Sequence, residues 1–262
     1  MAEQLRPQRV FVSGATGYTG RAVVKACARH GATTVAHIRP DSPRLAEWRA
    51  HFESLGAEVD TTAWEGPAMR ATLVSLRPTH VMALLGTTRN RARAAAHRGA
   101  PAESYRSVDY GLTRLLILAA AGAARVTGVR PRLVYLSAVG ARENTRNAYL
   151  RVRGIVEREL RESGLPYLVI RPSFITGDDR DETRRAERWT ARIVDALLAP
   201  LAIVGGRRLS DRYRSVTGPQ LGAAIARLAL DDAGGSRVVT MDEMRFQPDQ
   251  AAGHYGIGPD RL

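Results

Sequence analysis

The segment RVFVSGATGYTGRAVVKACARHG, residues 9–31, constrains the fold more than any other part of the chain. It begins with a short apolar and β-branched run that ends at Gly14, as a buried strand would. A helical pattern follows and stops at Gly31, a residue suited to the left-handed conformation that often ends a helix. Gly14, Gly17 and Gly20 recur at every third position across the turn. A strand, a glycine turn and a helix in direct succession indicate the first unit of a parallel α/β sheet.

The glycine turn also has a chemical consequence. The first glycine allows a tight turn, the second lets the backbone approach a pyrophosphate, and the third permits close packing of the helix. The free N–H groups and the positive dipole end of the helix then hold the phosphates of a dinucleotide. We therefore assign the cofactor loop to Gly14, Ala15, Thr16, Gly17, Tyr18 and Thr19.

The same alternation continues along the chain. Apolar runs at 33–38, 79–85, 132–137 and 166–171 alternate with helical patterns near 67–76, 102–122, 149–163 and 183–198. This order predicts an α/β fold with a doubly wound parallel sheet, right-handed crossovers and helices on both faces. We expect one NAD(P)-binding domain over residues 1–262, with a dinucleotide-binding core at 9–171 and a small C-terminal substrate lobe and tail at 172–262.

Arg39 indicates which dinucleotide is bound. In this fold an acid after the second strand bonds the ribose hydroxyls of NAD, whereas a basic residue accommodates the additional phosphate of NADP. The sequence there is VAHIRPDSPR, which has Arg39 at the expected place, His37 and Arg44 nearby, and no acid before Asp41. We therefore favour NADP(H) over NAD(H). The alternative is that Arg39 is a solvated surface residue.

Composition argues against several other classes of protein. The formal net charge is +13, but arginines are spread along all 262 residues with acids interleaved, which argues against nucleic-acid binding. Cys27 is the only cysteine and no histidine pair has metal-ligand spacing, so neither a disulfide nor a metal site is expected. The N-terminal segment has no apolar signal core, and no apolar run is long enough to span a bilayer. These features predict a cytoplasmic location.

Five segments, in this order along the chain, carry a resemblance to a known superfamily. They are GATGYTG at 14–20, LLGTTR at 84–89, LVYLSAVGA at 133–141, YLRVRGIVE at 149–157 and YLVIRPSFITG at 167–177. Together they resemble the atypical and extended short-chain dehydrogenase/reductase superfamily over roughly residues 9–230. The nearest likeness is to the branch of small NADP-binding proteins typified by the human Tat-interacting-protein-like oxidoreductase, with NmrA-like redox sensors as more distant relatives. Such a resemblance specifies a fold more closely than an activity.

The resemblance implies a role for several residues. Those expected to line the cofactor or surround the nicotinamide are Leu85, Gly86, Thr87, Pro172, Phe174 and Ile175. Ser137 would polarise a substrate carbonyl, although its hydroxyl could instead cap the local backbone. Tyr149 would transfer the proton to or from the substrate oxygen. Arg171 is expected to be either a structural ion-pair partner or a substrate contact.

Arg153 departs from the pattern of the superfamily. Its members have a lysine four residues after the tyrosine, which supports the ionised phenol and bonds the nicotinamide ribose. Arginine keeps the positive charge, but its planar fork is larger and it does not shuttle protons. Because Lys25 is the only lysine in the chain, the substitution could also reflect a general replacement of lysine by arginine.

These observations leave three hypotheses. The first is an NADP-dependent oxidoreductase that acts on a carbonyl or hydroxyl of an unidentified small molecule, with Ser137, Tyr149 and Arg153 as catalytic residues. The second is a non-catalytic redox sensor or scaffold that binds NADPH and acts through a protein partner. The third, which the spread of charge disfavours, is a nucleic-acid-associated protein whose complex would weaken steeply with salt. For the pair of residues itself, the alternative is that the tyrosine and the arginine merely share the solvent face of a helix beside its buried stripe. Because exposed helices often pair in this superfamily, a homodimer is a further alternative.

Overall fold

The first predicted strand lies at the centre of a parallel sheet. The computed structural model describes residues 7–86, 110–173, 175–176, 216–231 and 235–244. The strands in these ranges are β1 (Arg9–Ser13), β2 (Thr33–His37), β3 (Glu58–Asp60), β4 (His80–Ala83), β5 (Arg132–Leu136), β6 (Tyr167–Arg171), β7 (Ile175–Thr176), β8 (Val216–Thr217) and β9 (Arg237–Thr240). Seven of them form one sheet in the order β3-β2-β1-β4-β5-β6-β9, and every pairing in it is parallel. The strand order reverses beside β1, and that reversal opens a crevice at the carboxyl ends of the strands.

Helices cover both faces of this sheet. Within the described ranges they are α1 (Tyr18–Arg29), α2 (Leu45–Ser54), α3 (Gly66–Leu76), α4 (Thr113–Thr127), α5 (Ala148–Glu162) and α6 (Gly218–Leu230). Alternate residues of the central strands point to opposite faces, so that Val10 and Val12 belong to one core and Phe11 to the other. The first core includes α1, α2 and α6, and the second includes α3, α4 and α5. The fold is therefore the predicted doubly wound α/β fold.

Several helix boundaries agree with their sequence signals. The α1 helix ends just before Gly31, whose φ is +79°. The buried stripe of α5 contains the expected Val152, Val156 and Leu160. Thr217 caps α6, with Pro219 in the first turn. The α4 helix continues to Thr127, beyond the predicted end at residue 122. The pattern at 183–198 lies outside the described residues.

The later part of the chain contributes to the main core as well as to a separate strand pair. The β7 and β8 strands form a two-stranded parallel sheet of their own. In contrast, β9 joins the main sheet beside β6, and α6 packs against α1. The hydrophobic core therefore includes residues on both sides of residue 171, because α6 and β9 bury their apolar residues on the sheet. The division into a dinucleotide-binding core and a C-terminal lobe stays a prediction. Among the helices of the described ranges, none has both the length and the apolar character needed to cross a bilayer.

Candidate active site

The glycine loop joins β1 to α1 at the crevice, and its shape depends on missing side chains. Gly14 has a φ of +75°, and a Cβ there would lie 2.6 Å from the carbonyl oxygen of Leu84. A Cβ on Gly20 would lie 2.1 Å from the carbonyl oxygen of Gly14. The loop is closed by the Gly17 N–H, which donates to the Gly14 oxygen at 3.0 Å. A side chain is therefore excluded at Gly14, where the turn has a positive φ, and at Gly20, where the helix packs closely against the loop.

The start of α1 fits a pyrophosphate. Gly17 is the N-cap residue, offers no capping side chain, and is exposed. The first turn contains no acidic residue. Ala15 and Thr19 are buried beneath the loop, while Thr16 is partly exposed. The positive end of the helix dipole thus meets the surface with no protein carboxylate in its first turn, which suits a bound anion.

Arginines surround the carboxyl end of β2. Arg39 pairs with Asp41 across 3.6 Å, and both side chains are exposed. Arg44 is bonded to Glu47, and its guanidinium carbon lies 4.6 Å from the ring centroid of Trp48. The Arg21 guanidinium lies 5.6 Å from the same ring. Three arginines thus lie close to the end of β2, and two of them pair with surface carboxylates.

His37, in contrast, belongs to the core. Its Nε2 lies 2.8 Å from the carbonyl oxygen of Thr62, and its ring meets Trp64 edge-on at 4.9 Å. Burial lowers the pKa of the His37 imidazole, although the bond to Thr62 and the charge of Asp60 oppose the change. The ring therefore packs inside the protein and connects the end of β2 to Thr62 and Trp64.

Arg153 lies buried between the ends of two strands. Its side chain leaves α5 and donates to the carbonyl oxygens of Leu136 at 2.7 Å and Leu85 at 3.3 Å. It also donates to the Tyr135 hydroxyl at 3.1 Å, and only 4% of the residue is exposed. The guanidinium carbon lies 5.1 Å from the ring centroid of Tyr149, within the range of a cation–π contact. Arg153 therefore ties β4 to β5 and at the same time contacts the predicted proton donor.

Ser137 is held in a buried ionic network. Its hydroxyl donates to the Glu157 carboxylate at 2.6 Å, and Glu157 is 1% exposed. The same carboxylate accepts two bonds from Arg171, at 2.9 Å and 2.5 Å. These bonds raise the pKa of the Arg171 guanidinium, with burial acting in the opposite direction. Since a carboxylate only accepts, the single hydroxyl proton of Ser137 is committed to Glu157 in this arrangement.

The other predicted residues lie along the same edge. Leu85 and Gly86 follow β4, and Pro172 follows β6, where its carbonyl oxygen accepts from the Val139 N–H at 3.0 Å. Ile175 lies in β7. Thr87 and Phe174 lie outside the described residues.

The structure thus brings one group of the predicted residues into direct connection. Gly14 abuts the β4 end, Arg153 joins that end to β5, and Ser137 follows β5. The Ser137 N–H also donates to the Ile170 oxygen at 2.8 Å, which connects β5 to β6. Arg39 lies apart from this group, after β2.

Glu157 and Tyr135 are the residues that the sequence did not indicate. Glu157 follows Arg153 by one helical turn, and both charged side chains are buried beside the apolar stripe of α5. Their position next to that stripe was the available signal. Arg171 had two possible roles, and the structure makes it the ion-pair partner of Glu157. Tyr135 had no signal, because it occupies a strand position that any large apolar side chain could fill. In the part of the chain that the structure describes, no cluster of three potential metal ligands occurs.

An open parallel sheet with a glycine turn at its switch point defines a dinucleotide-binding α/β protein. The chain belongs to the NAD(P)H-binding family, whose sequence profile matches residues 14–192. No curated protein matches the sequence significantly.

Solved structures similar to this chain come from the same fold. A candidate NAD-dependent epimerase/dehydratase from Bacillus halodurans superposes with a TM-score of 0.58 at 17% identity, over 88% of this chain and 92% of that one. A candidate epimerase from Burkholderia cenocepacia J2315 gives 0.54 at 20% identity, over 89% and 75%. UDP-N-acetylglucosamine 4-epimerase from Bacillus cereus gives 0.53 at 14% identity, over 89% and 78%. At these identities the similarity establishes the fold, and activity has to be argued from the site.

Proposed function

We propose that the protein is an NADP(H)-dependent oxidoreductase of the atypical short-chain dehydrogenase/reductase type, in the Tat-interacting-protein-like branch. It would interconvert a carbonyl and a hydroxyl group on a small molecule. The observation that carries this proposal is the contact between Tyr149 and Arg153, a phenol and a buried cation beside the cofactor loop. A cytoplasmic location, a homodimer and a protein partner stay predictions from the sequence.

In this proposal the chain supplies binding, orientation and a proton. The glycine loop holds the pyrophosphate, and the bound nicotinamide supplies or accepts the hydride. Tyr149, which is half-buried in the first turn of α5, exchanges its phenolic proton with the substrate oxygen. Arg153 fixes the backbone on which the nicotinamide end would rest. Ser137, whose proton goes to Glu157 in this arrangement, can accept a hydrogen bond from a hydroxyl substrate, and it would polarise a substrate carbonyl only after its hydroxyl turned away from Glu157.

The preference for NADP(H) is supported by the basic cluster after β2. Arg39 and Arg44 have exposed guanidinium groups that pair with the surface carboxylates of Asp41 and Glu47, and a phosphate could replace these carboxylates. Trp48 keeps Arg44 and Arg21 stacked on its ring, so that less side-chain entropy is lost when an anion binds.

The cofactor proposal is tested by titrating the purified protein with NADPH and NADH and following nicotinamide fluorescence. We expect the wild type to bind NADPH more tightly. Arg39→Ala should weaken NADPH binding about tenfold or more, because a bond between two charged groups is lost, and should leave NADH binding unchanged. Arg49→Ala is the matched control, since Arg49 forms an exposed pair with Glu53 farther along α2. Equal affinities for the two cofactors, or the same loss for both in Arg39→Ala, would contradict the preference.

The catalytic proposal is tested with a small diketone, phenanthrenequinone, as the substrate probe and NADPH as the reductant. Tyr149→Phe should lower kcat at least about a hundredfold, the usual contribution of a positioned proton donor. Tyr167→Phe is the control, because this partly buried tyrosine lies at the amino-terminal end of β6, away from the carboxyl ends of the strands. Turnover that survives in Tyr149→Phe would show that the phenol is not the proton donor.

A second candidate function is a sensor or scaffold that binds NADPH without turnover. It is favoured by the partners of Arg153, since the hydrogen bonds given above go to Leu85, Leu136 and Tyr135 and hold strands together. Retained NADPH binding with no reduction of the quinone by wild type, and reduction by Arg153→Lys, would support this second function. Turnover already present in wild type would exclude it.

A further inference from the structure

The free N–H groups at the start of α6 are bonded partly by side chains of its own first turn and partly by a side chain of the cofactor loop. The Thr217 hydroxyl accepts from the Gln220 N–H at 3.4 Å, and the Gln220 side chain accepts from the Thr217 N–H at 3.1 Å. Pro219 has no N–H to satisfy. The remaining early donor, the Gly218 N–H, reaches the Tyr18 hydroxyl at 3.2 Å. Tyr18 belongs to the glycine loop, 200 residues earlier in the chain.

The fit between α1 and α6 leaves no room for side chains at two positions. A Cβ on Gly218 would lie 2.5 Å from the Tyr18 ring. A Cβ on Gly222 would lie 2.6 Å from the Ala22 side chain and 2.9 Å from the backbone of Val23. The two helices are therefore closely packed at this point, so a displacement of the loop should also displace the start of α6.

The start of α6 leads directly to the second sheet. Thr217 is both the N-cap of α6 and the last residue of β8, and it pairs with Thr176 of β7. The β7 strand also contains Ile175, predicted to lie at the nicotinamide. One hydroxyl thus connects the pyrophosphate loop to the strand pair at the other end of the expected cofactor.

We propose that Tyr18 is a positioning residue whose hydroxyl couples the cofactor loop to α6 and the β7–β8 pair, so that cofactor binding stabilises this pair. The inference rests on the proposed binding of NADP(H) at the glycine loop. Coupling of this kind is reciprocal, so a ligand that stabilised β7–β8 would strengthen cofactor binding by the same factor. Tyr18 would act through Gly218, without contact between its hydroxyl and the reacting atoms.

The test is amide hydrogen exchange, followed by mass spectrometry, in peptides within 216–230 with and without saturating NADPH. In wild type, NADPH should slow exchange at the start of α6. In Tyr18→Phe, which keeps the ring against Gly218, this cofactor-dependent protection should fall by about fivefold, the factor expected for one net hydrogen bond. Tyr110→Phe is the control, since it removes a tyrosine hydroxyl bonded to Glu159 at 2.7 Å on the other face of the sheet.

A second variant separates coupling from a general weakening of α6. Thr217→Val removes the helix's own cap and leaves Tyr18 in place, so exchange should be faster with and without NADPH while the protection ratio persists. The proposal is overturned if NADPH binds wild type without slowing exchange at 216–230. It is also overturned if Tyr18→Phe keeps the wild-type ratio, or if Thr217→Val loses it equally. Failure of the wild type to bind either cofactor would overturn the proposed function together with the coupling.

Discussion

Replacing Arg153 with methionine should destabilise the protein substantially, although the residue was predicted for its charge. Methionine retains an unbranched stem of similar shape but cannot donate to Leu85, Leu136 or Tyr135. Each of these three acceptors costs about 1–3 kcal/mol when it is left buried without a donor, and removal of the desolvated guanidinium offsets a large part of that sum. We therefore expect Arg153→Met to lose about 2–4 kcal/mol of unfolding free energy.

The lysine variant refines this estimate. One ammonium can reach the Leu136 oxygen, but it cannot reproduce the fork that spans two strand ends. Arg153→Lys should therefore lose about 1–2 kcal/mol, less than the methionine variant. The unfolding free energies would be measured by urea titration with tryptophan fluorescence as the signal.

Arg151→Met is the matched control for both variants. Arg151 lies on the same helix two residues earlier and is exposed, so its replacement should change stability by less than about 0.5 kcal/mol. If Arg153→Met were as stable as Arg151→Met, the strand-joining role of the guanidinium would be refuted.

Three further predictions concern other buried ionisable groups. Glu157→Gln should lose about 2–4 kcal/mol, because Arg171 is left without its carboxylate, and a double-mutant cycle with Arg171→Met should show a coupling energy above about 1 kcal/mol. Burial lowers the pKa of His80 to about 4 from its usual 6.5, so protons bind preferentially to the unfolded chain and stability falls as the pH drops below 6.5. Between about pH 7.5 and pH 5 this histidine should cost about 2 kcal/mol, so His80→Gln should reduce the pH dependence of the unfolding free energy by about that amount when urea unfolding is compared at the two pH values. The part due to His37, whose pKa burial also lowers, should persist. Burial raises the pKa of the Cys27 thiol to about 12, so a disulfide reagent should label it only after unfolding, and rapid labelling of the native protein would contradict this.

Local signals account for the parts of the fold that could be predicted. The glycine turn was predictable because its conformation excludes side chains at Gly14 and Gly20. The α6 cap was predictable because Thr217 and Pro219 act on their own helix. In contrast, β3 has three residues, of which two are acidic, and becomes a strand only by pairing with β2 at the edge of the sheet. The pairing of β9 with β6 joins distant parts of the chain, and such contacts leave no local pattern.

In the candidate site, too, features set by local sequence were predictable and features set by distant contacts were not. Tyr149 and Arg153 were predictable as a pair because their spacing places them on one side of a helix. The acceptors of Arg153 were not, since two of them are backbone carbonyl groups, which every residue possesses. The network around Ser137 likewise depends on how close β6 lies to α5, and side-chain identity alone does not give that distance.

The two buried ions of α5 bear on how the enzyme and the sensor hypotheses can be separated. Arg153 fixes the ends of β4 and β5, and Glu157 fixes the ends of β5 and β6, so together they hold the helix that carries Tyr149. This anchoring would persist in a protein that had lost turnover, because it serves stability. Retention of a tyrosine and a cation four residues apart is therefore expected under both hypotheses. The two hypotheses predict different results for the variant Arg153→Lys. An enzyme adapted to arginine should lose both stability and turnover, whereas a binding protein should lose stability and gain turnover.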